Sequence, residues 1–153
     1  MFLEENWSEG MNMLNISRFI KAQQKYYNIA LTEIKNGKKE SHWMWYIFPQ
    51  IKGLGYSETA KYYSIQDIDE VKAYLSNKYL YNNLVEICNE LLKKEESEIL
   101  EIIGYPDNLK LCSSMTLFYI VNPEEKVFKQ IVDRYFNGVF DINTIRICNN
   151  SEN

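Results

Sequence analysis

Histidine is almost missing from this chain, with His42 the single example in 153 residues. A zinc site of the usual kind draws on several imidazole, thiolate or carboxylate ligands, so no metal centre is expected. Cys88, Cys112 and Cys148 are widely spaced, odd in number and form no CxxC pair. That argues against a disulfide framework and for free thiols in the cytoplasm. No run of 18 apolar residues occurs, so no membrane-spanning helix is expected. The opening MFLEENWSEG has no basic stretch followed by an apolar core, and it is not read as a secretory signal. Redox-cofactor motifs are absent. GLG at 53–55 is a GxG, short of a dinucleotide fingerprint, and no cofactor is expected.

Basic charge is also in short supply. Lys and Arg number 17 against 21 Asp and Glu, a net charge of −4. Bulk nucleic-acid binding through many neutralised phosphates is therefore not expected, although a local basic patch remains compatible with the balance. Aromatic residues, by contrast, are plentiful. Twelve Tyr, seven Phe and three Trp make 14% of the chain, enough to fill a core and still leave rings for stacking. A chain of this length buries roughly 68–70% of its unfolded surface and folds without staples.

The hydrophobic period is helical almost throughout. Ile16, Phe19, Ile20, Tyr26, Tyr27, Ala30, Leu31 and Ile34 follow the i, i+3, i+4 rule, with Gly37 at the stop. HWMWYIFPQ at 42–50 reads as a short buried helix or an extended segment, ended by Pro49. Helices capped by Ser57 and Asp67 follow, then helices over 79–94 and 97–103. Residues 109–121 are preferred as helix, although the tail FYIV allows a strand. Asn122-Pro123 opens a helix ending at Gly138, and Asp141 caps a last one running to Cys148. The expectation is an all-α, compact and irregular single domain of about seven or eight helices. It spans 15–148, behind a flexible arm at 1–14 and ahead of a frayed tail at 149–153.

Several polar residues stand where apolar ones are the rule. His42 is the natural acid/base at neutral pH, with a capping or packing role as the competing reading. Trp43 and Trp45 can stack a planar group, although at least half of the aromatics around them belong in a core. Gln50 can read an amide edge with both donor and acceptor. Lys110 lies one helical turn from Ser113 and Ser114 and, with Thr116, can form an anion site. The alternative is that these hydroxyls bond back to helix carbonyls. Arg18 and Gln23 are struts or pocket-wall donors.

The strings RFIKAQ (18–23), GKKESHWMWYIFPQIKGLGYS (37–57), AYL (73–75) and DNLKLCSSMTLF (107–118) resemble the uncharacterised family called domain of unknown function 1810, some of whose members are mislabelled calpastatin. The resemblance covers 15–148 and implies a mainly helical single domain. It implies no catalytic role for any residue. Asn77-Lys78 stands where relatives tend to have His-Pro, and Tyr81-Asn82 where they tend to have Gly-x.

The combined expectation is a pocket between 42–57 and 107–118 for an anionic, aromatic small molecule. Arg18 and Gln23 form a wall, and Trp43 or Trp45 and Gln50 hold a planar group. Lys110 and Thr116 bind the anion, while His42, Ser113 and Ser114 act chemically. A small hydrolase or transferase acting on a nucleotide-like or phosphorylated ligand is one reading. A metabolite-sensing or protein-interaction module without turnover is the other.

Overall fold

A computed structural model of the chain describes residues 2–151, with side chains described over 15–150. Among the described residues nine helices are present and strands are absent: α1 (Phe2–Lys35), α2 (Met44–Ile47), α3 (Glu58–Tyr63), α4 (Ile68–Ser76), α5 (Lys78–Leu92), α6 (Ile99–Ile102), α7 (Asp107–Val121), α8 (Val127–Tyr135) and α9 (Ile142–Ser151). None is long and apolar enough to cross a membrane. The all-α expectation holds.

The helix stops and starts follow local chemistry. Gly37 at φ 81° closes α1, and Lys38 N–H bonds back to Glu33 O at 3.0 Å, the left-handed exit that glycine permits without strain. The Ser57 hydroxyl accepts from Ala60 N–H to start α3, and the Asp67 carboxylate accepts from Glu70 N–H to start α4. Only half of the expected capping box forms at α4, because the Glu70 carboxylate accepts from Gln66 N–H and from Arg18 instead. Asn77, one of the two departures from the family pattern, caps α5 through Leu80 N–H.

The first helix is longer than the periodic run from Ile16, with helical backbone from Phe2. The side chains of 1–14, Trp7 included, lie outside the described residues. Pro123 does not open α8: residues 122–125 form a turn closed by Glu125 N–H to Asn122 O, and the helix begins at Val127. The 42–50 segment is both of its alternatives in sequence. One helical turn at 44–47 gives way at Phe48, which precedes Pro49 and leaves the helical region at ψ 72°, as the proline ring demands of its predecessor. Beyond it Ile51 pairs with Ile65 in an isolated parallel bridge.

α7 lies at the centre. Residues 113–118 are all buried, so this helix has no solvent face over nearly two turns. Phe19 of α1, Tyr74 of α4, Phe118 of α7 and Phe128 of α8 form a line of rings, with successive centroids 5.3, 5.3 and 5.6 Å apart. These tilted and edge contacts join four helices through one core.

Candidate functional site

Three segments converge on a cleft of about 730 Å³. One wall is the run from Trp45 to Gly55, the second is the first half of α7, and the third is the α8–α9 connection with the start of α9. Two of these walls match the expected pocket. The third was not anticipated, although Gly138 and Asp141 had marked its turn and its cap.

Gln50 has the sharpest chemistry in the first wall. Its backbone is pinned, since Gln50 O accepts from Ile65 N–H at 2.8 Å and the next residue forms the isolated bridge. The residue is only 8% exposed and lines the cleft. An amide there offers a ligand both a donor and an acceptor. Trp45 stands beside it. Gly55 closes this wall, because a Cβ there would come within 2.6 Å of the Ala60 Cβ.

The cation in the cleft is Lys110. Its Nζ lies 4.0 Å from the centroid of the Trp45 ring and 3.1 Å from Asp107 Oδ1, while Lys39 Nζ lies 2.9 Å from the other carboxylate oxygen. Two ammonium groups therefore share one carboxylate, and of these three groups Lys110 lines the cleft. A cation held over an aromatic face is attracted by the ring quadrupole.

Asp141 is the anion of the third wall. Its Oδ2 accepts from the Ser113 hydroxyl at 2.7 Å, the Thr144 hydroxyl at 2.5 Å and Thr144 N–H at 3.3 Å. Asp141 N–H donates to Thr116 Oγ1, whose own hydroxyl donates to Cys112 O. The cap of α9 is thus bolted to α7 by two hydroxyls, those of Ser113 and Thr116. Cys112 lines the cleft as well, and burial, with the Asp141 charge second, pushes its thiol up to about 11. The thiol stays protonated at neutral pH and is no thiolate nucleophile.

Four of the ten residues singled out in the sequence meet here: Trp45, Gln50, Lys110 and Ser113. The other six lie elsewhere. His42 is exposed and does not line the cleft; its carbonyl accepts from the Tyr46 hydroxyl. Trp43 is fully buried and packs against Phe48. Trp43 Nε1–H donates to Glu33 Oε1, and the same carboxylate accepts from Glu40 N–H, Ser41 N–H and the Ser41 hydroxyl. Arg18 is a strut. It grips Glu70 with both terminal nitrogens and bonds to the carbonyls of Tyr62 and Ser64. Gln23 is a second strut, donating to Tyr46 O and Tyr74 Oη and accepting from Asn83. Thr116 serves the α7–α9 bolt. The Ser114 hydroxyl is wholly buried, off the cleft, and without a partner.

A model of the family described as "Protein of unknown function (DUF1810)" matches residues 13–148. Among solved structures, the conserved hypothetical protein Rv1873 from Mycobacterium tuberculosis is similar at 37% identity with a TM-score of 0.86, over 88% of this chain and 96% of that one. No curated protein matches.

Proposed function

The chain belongs to the DUF1810 family, and for this member we propose that the cleft between Trp45–Gly55, α7 and the start of α9 binds a nucleotide-like or phosphorylated small molecule. The observation that carries this reading is Gln50, a largely buried residue with a fixed backbone, lining a cleft that also holds a ring-seated lysine. An amide edge on a planar ligand satisfies the glutamine with one donor and one acceptor. The ligand's anionic group falls to Lys110, where two lysines outnumber one carboxylate. The Trp45 ring supplies apolar area beside both.

Binding is better supported than turnover. A hydrolase or transferase needs a base within reach of the reacting atoms. His42 lies off the cleft, the Cys112 thiol is held protonated, and Asp141 Oδ2 is already occupied by three donors. The role drawn for this site is recognition of a small metabolite.

The test sets Gln50→Leu and Lys110→Ala against wild type. Thermal stabilisation is measured with nucleoside monophosphates, ADP-ribose and sugar phosphates. A ligand at 100 times its Kd adds about 2.7 kcal/mol to the wild type. Gln50→Leu without ligand should stay within about 1 kcal/mol of wild type, and it should lose the ligand-induced shift. A stability loss in Gln50→Leu with the shift retained would make Gln50 structural and sink the reading.

A further inference from the structure

We propose that the face built by α1, α3 and the 52–56 turn is a track for single-stranded nucleic acid, separate from the small-molecule cleft. Three shallow hollows run side by side there. The first holds Lys25, Tyr26, Tyr46 and Tyr63. It shares Lys21 and Tyr62 with the second, which in turn shares Lys61 and Gln66 with a third that ends at Lys52 and Tyr56. The track meets the cleft only at Gly55.

Its composition is alternately cationic and aromatic. Lys21, Lys25, Lys52 and Lys61 are all exposed, and none forms an ion pair among the described residues. Among the described residues no Asp or Glu side chain lines any of the three hollows. Arg18 touches two of them, but its charge is spent on Glu70. The local balance is therefore opposite in sign to the chain's net −4, with Glu95, Glu96, Glu98 and Glu101 gathered before and in α6 instead. Lys21 and Lys25 are i, i+4 neighbours about 5–6 Å apart at Cβ, a separation on the scale of successive phosphates along one strand.

The rings are placed to stack. Tyr62 is 60% exposed and Tyr56 85%. Tyr62 is braced edge-on by Tyr63 at 4.8 Å, and Tyr63 by Tyr46 at 4.9 Å, while Tyr26 stacks on Tyr46 at 5.2 Å. A braced, half-open tyrosine offers a π-face to any base, and positively charged grooves with such platforms are how single strands are held without sequence readout. A chain of repeating anions with flat groups between them matches three linked hollows with separate cations better than one compact ligand does. A membrane surface fits less well, because among the described residues no Leu, Ile, Val, Phe, Met or Trp side chain lines the track to insert among acyl chains.

Fluorescence anisotropy of a labelled single-stranded oligothymidylate of about twelve nucleotides, within the site sizes such grooves cover, tests the proposal on the full chain. Saturable binding at low salt is expected, weakening as salt rises. Replacing Lys21, Lys25 and Lys61 together by Gln should reduce affinity at least tenfold and flatten the log–log salt slope by about 2, at roughly 0.7 per phosphate contact. Tyr62→Ala should weaken binding about tenfold with the slope unchanged. All four positions are exposed, so these variants fold. Three results would overturn the proposal: no binding at low salt, equal affinity for an abasic chain of the same charge, or binding to phosphatidylserine vesicles in preference to the oligonucleotide. Loss of oligonucleotide binding leaves the Gln50 site untouched, since the two share no side chain.

Discussion

Glu33 shows how one side chain can account for a motif that looks catalytic in the sequence. The string KKESHW wraps a single carboxylate, which receives two backbone N–H groups, a serine hydroxyl and an indole N–H. Burial works against its ionisation, but the bonds from Ser41, Glu40 and Trp43 outweigh it and hold the carboxyl at about 2 rather than 4.5. The folded value lies below the unfolded one. The stabilisation is therefore complete above the unfolded value and is lost as pH falls through the folded one, in the window from about 4.5 to about 2. Urea midpoints of wild type and Glu33→Gln, measured from pH 7 to 2, should differ most at pH 7, by about 2 kcal/mol in stability for bonds to a charged acceptor. The two should converge in acid, and parallel curves would place the acid sensitivity elsewhere. In the cleft, Gln50 matters because it lines the open space, and Lys110 because its carboxylate is shared.

Between elements, the strongest tie is the pair that fixes α1 to α4. Glu70 is essentially inaccessible and Arg18 nearly so, with side-chain exposures of 1% and 11%. Two buried charges are tolerated because every acceptor is used: the guanidinium bonds to three carbonyls besides the carboxylate, and Glu70 takes a further N–H from Gln66. Arg18→Ala should therefore cost about 3–5 kcal/mol, most of it from a carboxylate left buried without its partner, whereas Arg18→Met with Glu70→Leu should stay much closer to wild type. Chemical denaturation of the three proteins separates the cases; equal losses in the single and double variants would mean that the arginine contributes packing alone. The same strut holds the carbonyls of Tyr62 and Ser64, so it also shapes the floor of the tyrosine–lysine track.

For the molecule as a whole, cooperativity runs through α7. Phe118 touches both Tyr74 and Phe128 in the ring line, and all three are fully buried. Phe118→Ala opens a cavity where four helices meet and should cost about 3–5 kcal/mol. The loss should appear as one transition with far-ultraviolet and near-ultraviolet circular dichroism coincident. Two separated transitions would show that the α8–α9 side, which supplies the third wall of the cleft, unfolds independently.

Helix type and approximate extent were legible without coordinates, because they follow from a 3.6-residue period and from caps a few residues away. Ser57, Asp67, Gly37 and Gly138 act within one turn of where they stand. The site was legible only in part. Trp45, Gln50, Lys110 and Ser113 converge as expected, yet Arg18, Gln23 and Trp43 turned out to be polar or ring groups satisfied inside the core. A polar residue in an apolar run reports only that it has a partner or lacks one, and the partner of Arg18 is Glu70, 52 residues away. His42 and Trp43 both precede the short helical turn, His42 exposed and Trp43 buried with its indole N–H on Glu33. Composition and period determined a helical chain without a helix long and apolar enough to span a membrane, and with spare aromatics. Which amide lines the cleft, and which lysines are left without a carboxylate, was decided by long-range packing, where hydrogen bonds and charges close between segments that no local pattern connects.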